Sequence, residues 1–276
     1  MSFYNPVTYR GPIKLAVFDW AGTTVDYGCC APAAVFIEGY RHKGVEITLA
    51  EARAPMGIEK RAHIAAIAQM PAVVARWQAV HGRSITEQDI DEMYAIFAPL
   101  LLQTLADHAE LIPGVLMMQE WLRQQGIKIG ATTGYFTEAA QVVQRAAAAQ
   151  GYHPDSTVCA SDVSAGRPAP WMLYRVMNEL EVYPPAAVIA IGDTVADVAA
   201  GRNAGVWTVG VAKTGNELGL TAAEVVALPA DELKHRLTAA YLHLSRAGAH
   251  YVVNGVGDLP WVIDKIQSRL ARGERP

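Results

Sequence analysis

Six short apolar runs recur along this 276-residue chain, at residues 13–19, 127–133, 157–160, 188–193, 207–212 and 251–254, mostly separated by stretches with helical patterning. Apolar runs of this length alternating with helices predict a parallel sheet with helical crossovers, an α/β fold of Rossmann-like type. The alternation fails in one place. From about residue 27 to 108 no convincing strand appears and helix punctuation dominates, so this block reads as an all-helical insertion after the first strand. Pro32 suits a first helical turn, Gly44 a helix end, and Thr48 with Glu51 a capping box. Pro55 then interrupts, a helix carrying Lys60 and His63 follows, and Pro71 opens another. Ile90, Met93, Tyr94, Phe97 and Leu101 mark the buried face of a helix beginning near Thr86, with Pro99 as a potential kink. The domain boundaries expected are 1–26 with 107–276 for the α/β core, and 27–106 for the insertion. The last residues, 269–276, read as a solvated helix end and tail.

In an open parallel sheet, ligands bind beyond the carboxyl ends of the strands, so the residues after each run are where chemistry is sought. Asp19 ends the first run and leads into the small turn Trp20-Ala21-Gly22-Thr23-Thr24. Thr132-Thr133-Gly134 ends the second, Gly166-Arg167-Pro168 follows the third, and Gly192-Asp193-Thr194-Val195-Ala196-Asp197 ends the fourth. Taken singly, each has an ordinary reading as a cap, a loop or a helix start. Taken in order, they supply a nucleophilic carboxylate, hydroxyl and amide donors, a cation and metal-binding carboxylates, the parts that phosphoryl transfer requires.

These four segments resemble, in order, the motifs of the haloacid dehalogenase superfamily. The resemblance makes Asp19 the nucleophile and a Mg2+ ligand together with Asp193 and the backbone carbonyl of Ala21. It gives Thr133 and the Gly134 amide to phosphoryl oxygens, Arg167 to charge neutralisation, and Asp197 to orienting the ligands. Mg2+ suits such a hard, oxygen-rich set. One position departs from the superfamily's phosphatases, which carry a proton-handling Asp where this chain has Ala21. Read with Pro55-Met56-Gly57, Lys60, Gly134-Tyr135 and Pro168-Ala169-Pro170-Trp171, the chain is similar over nearly its whole length to phosphonoacetaldehyde hydrolases. In that family a lysine, here Lys60, forms a Schiff base with the substrate aldehyde. Met56 and Cys29 correspond to pocket residues, Tyr135 and Trp171 sit beside motif residues and are candidates for shaping the pocket, and His63, three residues after Lys60, is a candidate for proton transfer or substrate positioning. The resemblance implies phosphonoacetaldehyde as substrate, a setting in 2-aminoethylphosphonate degradation, and a homodimer.

The chemistry agrees with the substitution. Breaking a carbon–phosphorus bond leaves electrons on carbon, which a protonated imine accepts, and no oxygen leaving group remains for an acid at position 21 to protonate. Ester phosphatase, carbon–halogen hydrolase and a non-catalytic phosphate-binding protein remain the rival readings. Composition narrows the partners further. Lys and Arg total 23 against 27 Asp and Glu, a net charge of -4, so no basic field favours nucleic acid or an anionic membrane. Residues 1–11 lack the pattern of a signal peptide and no apolar run is long enough to span a bilayer, so a cytoplasmic location is expected. The three cysteines, two of them adjacent at Cys29 and Cys30, form neither a disulfide framework nor a zinc-ligand spacing.

Overall fold

The computed structural model describes residues 8–276, so part of the N-terminal stretch read for a signal peptide lies outside the described residues. Its strands are β1 (Leu15–Asp19), β2 (Lys128–Thr133), β3 (Ser156–Cys159), β4 (Val188–Gly192), β5 (Trp207–Val211) and β6 (Tyr251–Val253). They form one sheet in the order β3-β2-β1-β4-β5-β6, and every neighbouring pair is parallel. The predicted α/β class holds, and each strand falls within a residue or two of an apolar run.

Strand period dictates which residue faces which layer. Leu15 and Val17 of β1 pack in a cluster with Met172, Leu173 and Val176 of α8 (Trp171–Glu179) and Ala200 and Ala204 of α9 (Val195–Ala204). Ala16 and Phe18 point the other way, into the cluster that holds Val115, Met118 and Leu122 of α6 (Val115–Gln124), Val143 of α7 (Thr137–Ala149) and Val262, Ile263 and Ile266 of α12 (Leu259–Ala271). Burial on both faces explains why these strands read as continuous apolar runs rather than alternating ones. Two further helices, α10 (Ala222–Ala227) and α11 (Ala230–Arg246), lie between β5 and β6 in the chain.

Five helices separate β1 from α6: α1 (Cys30–Arg41), α2 (Leu49–Arg53), α3 (Lys60–Ala68), α4 (Pro71–His81) and α5 (Glu87–Leu105). Their ends are set by the expected devices. Thr48 and Glu51 exchange capping bonds at α2, Thr86 and Asp89 do so at α5, Pro71 opens α4, and Gly44 follows α1 with φ 70°. Pro99 lies inside α5, which runs unbroken over 19 residues. Ile90, Met93, Phe97 and Leu101 are buried as their spacing predicts, and Phe97 stacks on Phe36 of α1 at 4.5 Å between ring centroids. The outgoing and returning connections run side by side: Val25 bridges Leu111, the Ile112 amide donates to the Thr24 carbonyl at 2.9 Å, and the Asp26 amide to that of Glu110 at 3.3 Å.

Two readings of the sequence are corrected here. The chain end is not a solvated tail from Arg269 onward, because Leu270 is fully buried and the Arg269 guanidinium lies 4.6 Å from the centre of the Trp207 ring. Trp171, singled out beside the Arg167 segment, is 47% exposed and meets Tyr174 edge-on instead of lining a pocket.

Candidate active site

The sheet order reverses between β1 and β4, which leaves a crevice beyond their carboxyl ends. Asp19 is the last residue of β1 and Asp193 directly follows β4, so adjacent strands deliver two carboxylates to one spot. Asp197, in the first turn of α9, completes a cluster in which carboxylate oxygens of all three residues lie within 4.8 Å of one another. All three are buried.

Each carboxylate is held in place. The Asp193 Oδ1 accepts from the Thr23 hydroxyl at 3.1 Å and its Oδ2 from the Asn216 amide at 2.7 Å. The Asp197 Oδ2 accepts from the Thr194 hydroxyl and amide, at 2.6 and 3.1 Å, while its Oδ1 meets Arg167 Nη1 at 2.8 Å. Arg167 also donates through Nη2 to Asp19 Oδ1 at 2.7 Å and to the Thr132 hydroxyl at 2.8 Å. Arg167 is thereby fixed between the two carboxylates with only 6% of its surface exposed. Burial first, then the neighbouring Asp19 and Asp197, pushes the Asp193 carboxyl well above the usual carboxylate range; burial likewise raises Asp197, against the pull of Arg167. Three carboxylates crowded about one guanidinium disfavour one another's ionised forms, a repulsion that a cation held among these hard oxygen donors would relieve. That donor set fits a divalent cation such as Mg2+.

Facing this cluster is the start of α3. Lys60 is its first residue and only 4% exposed, with Nζ 5.0 Å from the centre of the Tyr135 ring and 5.7 Å from that of Phe36. Burial lowers the Lys60 pKa from its ordinary value, Arg167 lowers it further, and Cys29 and Asp19 act in the opposite sense. A position in the first turn of a helix also disfavours a cation. His63, fully buried one turn later, stacks on Phe36 at 3.7 Å. Its Nε2 lies 2.8 Å from the Ala52 carbonyl, which can only accept, so Nε2 carries the proton. Nδ1 is then a buried lone pair without a partner among the described residues. Burial, then Lys60, holds the His63 pKa well below the ordinary histidine value, so the ring is neutral.

The remaining residues singled out in the sequence come to the same place. Cys29 is buried in left-handed backbone at the entry to α1, and burial, then Asp193 and Asp26, pushes its thiol pKa well up. Met56 and Tyr135 are buried, the Tyr135 hydroxyl has no hydrogen-bond partner among the described residues, and the Thr133 hydroxyl accepts from the Tyr135 amide at 3.1 Å. Ala21 is buried two residues beyond Asp19, in the turn closed by the Gly22 amide on the Val25 carbonyl at 2.7 Å.

Contact between the helical insertion and the core is close enough to demand glycine on both sides. A Cβ on Gly134 would lie 2.6 Å from the Ile58 carbonyl oxygen. One on Gly57, whose φ is +94°, would lie 2.2 Å from Thr194 Oγ1, and the Gly57 carbonyl accepts from Arg167 Nη1 at 3.3 Å. The loop 55–58 is therefore seated directly on the residues that surround the carboxylates.

A family profile described as haloacid dehalogenase-like hydrolase matches residues 13–205. A phosphonoacetaldehyde hydrolase of Syntrophobacter fumaroxidans is 50% identical over 274 residues, covering 99% of each chain. The chain belongs to the phosphonoacetaldehyde hydrolase family of the haloacid dehalogenase-like hydrolases. A phosphonoacetaldehyde hydrolase-like protein of the same organism is 51% identical, covering 99% of this chain and 98% of its own. The crystal structure of a phosphonoacetaldehyde hydrolase-like protein from Oleispira antarctica superposes with a TM-score of 0.97 at 41% identity, covering 100% of both chains. This family member is a hydrolase with an HAD-type parallel sheet, and among its described residues no helix is long and apolar enough to cross a membrane.

Several residues that organise the site escaped the sequence reading. Thr23 lies inside the first motif and Thr194 precedes Asp197 with capping-box spacing, so both had a local signal. Thr132 stands in the second segment after a strand, while Arg53 and Asn216 had no local signal, because the contact that joins them spans 163 positions.

Proposed function

We propose that this hydrolase cleaves the carbon–phosphorus bond of phosphonoacetaldehyde to give acetaldehyde and phosphate. The observation that carries the reading is the buried Lys60 set opposite the Asp19–Arg167 pair, with Ala21 in place of an acid. Neutral Lys60 attacks the aldehyde carbon, and the carbinolamine takes up one proton and loses water to become a protonated imine, the proton being returned when the imine is finally hydrolysed. Asp19 then attacks phosphorus; the C–P electron pair moves into the imine, leaving an enamine on Lys60 and an aspartyl phosphate. Water hydrolyses the acyl phosphate, releasing phosphate and restoring Asp19. The enamine takes a proton on carbon, and a second water releases acetaldehyde and free Lys60, so the balance is one water consumed per turnover.

The side chains divide the work. Arg167, with Thr133 and the Gly134 amide, neutralises and orients the phosphonate. Asp193, Asp19 and the Ala21 carbonyl are the residues that would hold Mg2+, whose bound charge would draw the nucleophile and phosphonate together. Asp197 holds Arg167 and the start of α9. Burial of Lys60 keeps a usable fraction of its amine neutral, while Met56, Tyr135, Cys29 and His63 shape its pocket. The molecule divides into a core, 1–26 with 107–276, and a helical cap, 27–106, whose seating excludes bulk water from the imine. A cytoplasmic homodimer serving 2-aminoethylphosphonate degradation is the setting that accords with this chemistry.

The test is Mg2+-dependent release of acetaldehyde from phosphonoacetaldehyde, followed with an NADH-dependent aldehyde reductase. Wild type releases acetaldehyde, and Lys60→Arg, which keeps the charge and cannot form an imine, loses turnover while remaining folded. Turnover of small phosphate esters alone would support the ester phosphatase reading, and phosphate binding without turnover the non-catalytic one.

A further inference from the structure

Arg53 ends α2 and ties it both to the segment where the chain enters the helical insertion and, across to the core, to Asn216. Its Nη1 donates to the Gly28 carbonyl at 2.7 Å, the Asn216 Oδ1 at 3.1 Å and the Cys29 carbonyl at 3.3 Å. Asn216 returns the contact, its Nδ2 donating to the Arg53 carbonyl at 3.4 Å. The same Asn216, 7% exposed, gives its backbone amide to Asp193 Oδ2 at 2.7 Å. The path from α2 to the carboxylate cluster is thus two residues long. It starts four positions before Gly57, whose carbonyl accepts from Arg167.

We propose that Arg53 and Asn216 are a positioning pair that couples the seating of the helical insertion to the orientation of Asp193. The proposal rests on the reading of Asp193 as a metal ligand. If α2 lifts from the core, the two bonds that join Arg53 and Asn216 break together, and the loop that presents the Asn216 amide loses its anchor. Asp193 then keeps only the Thr23 hydroxyl as a firm donor and its oxygens are free to turn. Linkage makes the coupling reciprocal, so a cation bound at Asp193 favours the seated insertion.

The experiment follows Mg2+ alone, by calorimetric titration and by hydrogen exchange of the segment 54–60 with and without the ion, in wild type, Asn216→Ala, Arg53→Ala and the double variant. Wild type shows slower exchange of 54–60 when Mg2+ is bound. Asn216→Ala retains the backbone amide, yet binds Mg2+ about 10-fold more weakly, the usual effect of removing a support behind a ligand. It also loses the Mg2+-dependent protection. The loss in the double variant is smaller than the sum of the two single losses, because both substitutions remove the Arg53 Nη1–Asn216 Oδ1 bond, while the Asn216 Nδ2 bond to the Arg53 backbone carbonyl survives in Arg53→Ala. Wild-type Mg2+ affinity in Asn216→Ala, or protection that persists in it, would overturn the proposal. Asn216→Ala alone decides the matter if Arg53→Ala does not fold. No substrate enters the measurement, so failure of the coupling leaves the carbon–phosphorus reading standing, and failure of acetaldehyde release leaves the coupling standing.

Discussion

Two histidines of the insertion and its connections shift in opposite directions, one through burial and the other through a neighbouring carboxylate, and the difference is measurable. His63 is enclosed and neutral, whereas His108 is partly exposed with Nδ1 3.5 Å from Asp26 Oδ1, and that contact raises its pKa above 6.5. Asp26 in turn accepts the Cys30 and Ala31 amides at 3.0 Å each, which caps α1 where the chain enters the insertion. A histidine whose folded pKa is raised contributes stability fully present below its unfolded value and lost as pH rises through the folded one. His108→Gln is therefore expected to be less stable than wild type in urea below pH 6.5, with the gap closing as pH rises above it. A gap independent of pH would deny the ion pair. Ala21 and Asp193 stand out in the sequence because each lies just beyond a strand end, and Lys60 does so only through the resemblance of its segment to a known family. Arg53 and Asn216 do not, since nothing local distinguishes an arginine on a helix end or an asparagine in a loop.

Loops and helix ends carry the site, and the strands beneath them serve to aim it. Helix punctuation was readable because caps, prolines and glycines act through neighbours a few residues away. Burial of the chain end escaped because Leu270 joins the main apolar cluster and Arg269 lies over Trp207 of β5 and Tyr251 of β6, tertiary contacts with no local signature. The approach of loop 55–58 to Gly134 and Thr194 is likewise a tertiary fact. It yields a sharp expectation: Gly57→Ala places a methyl group 2.2 Å from Thr194 Oγ1 and so holds the insertion off the core. Displacement of about 1 Å between reacting groups can cost roughly 100-fold in rate. We expect a fall of that order in kcat for acetaldehyde release, with a stability cost of only about 1–2 kcal/mol from the left-handed backbone. Unchanged kcat would show that seating of this loop is not needed for chemistry.

In the proposed mechanism the whole molecule brings together two kinds of reactive group, one from the sheet and one from the helical insertion. The parallel sheet gathers Asp19, Asp193, Asp197 and Arg167 at its switch point, and the helical insertion brings Lys60 over them in a pocket of aromatic rings. Neither unit holds the full set, so the reaction depends on their meeting. The most direct measurement is reductive trapping: wild-type protein is incubated with phosphonoacetaldehyde and borohydride, then digested and analysed by mass spectrometry. The account predicts an N-ethyl group on Lys60, the reduced imine of acetaldehyde left after carbon–phosphorus cleavage, and none on the other lysines. An active protein with no adduct on Lys60, or with the adduct on a different lysine, would contradict it.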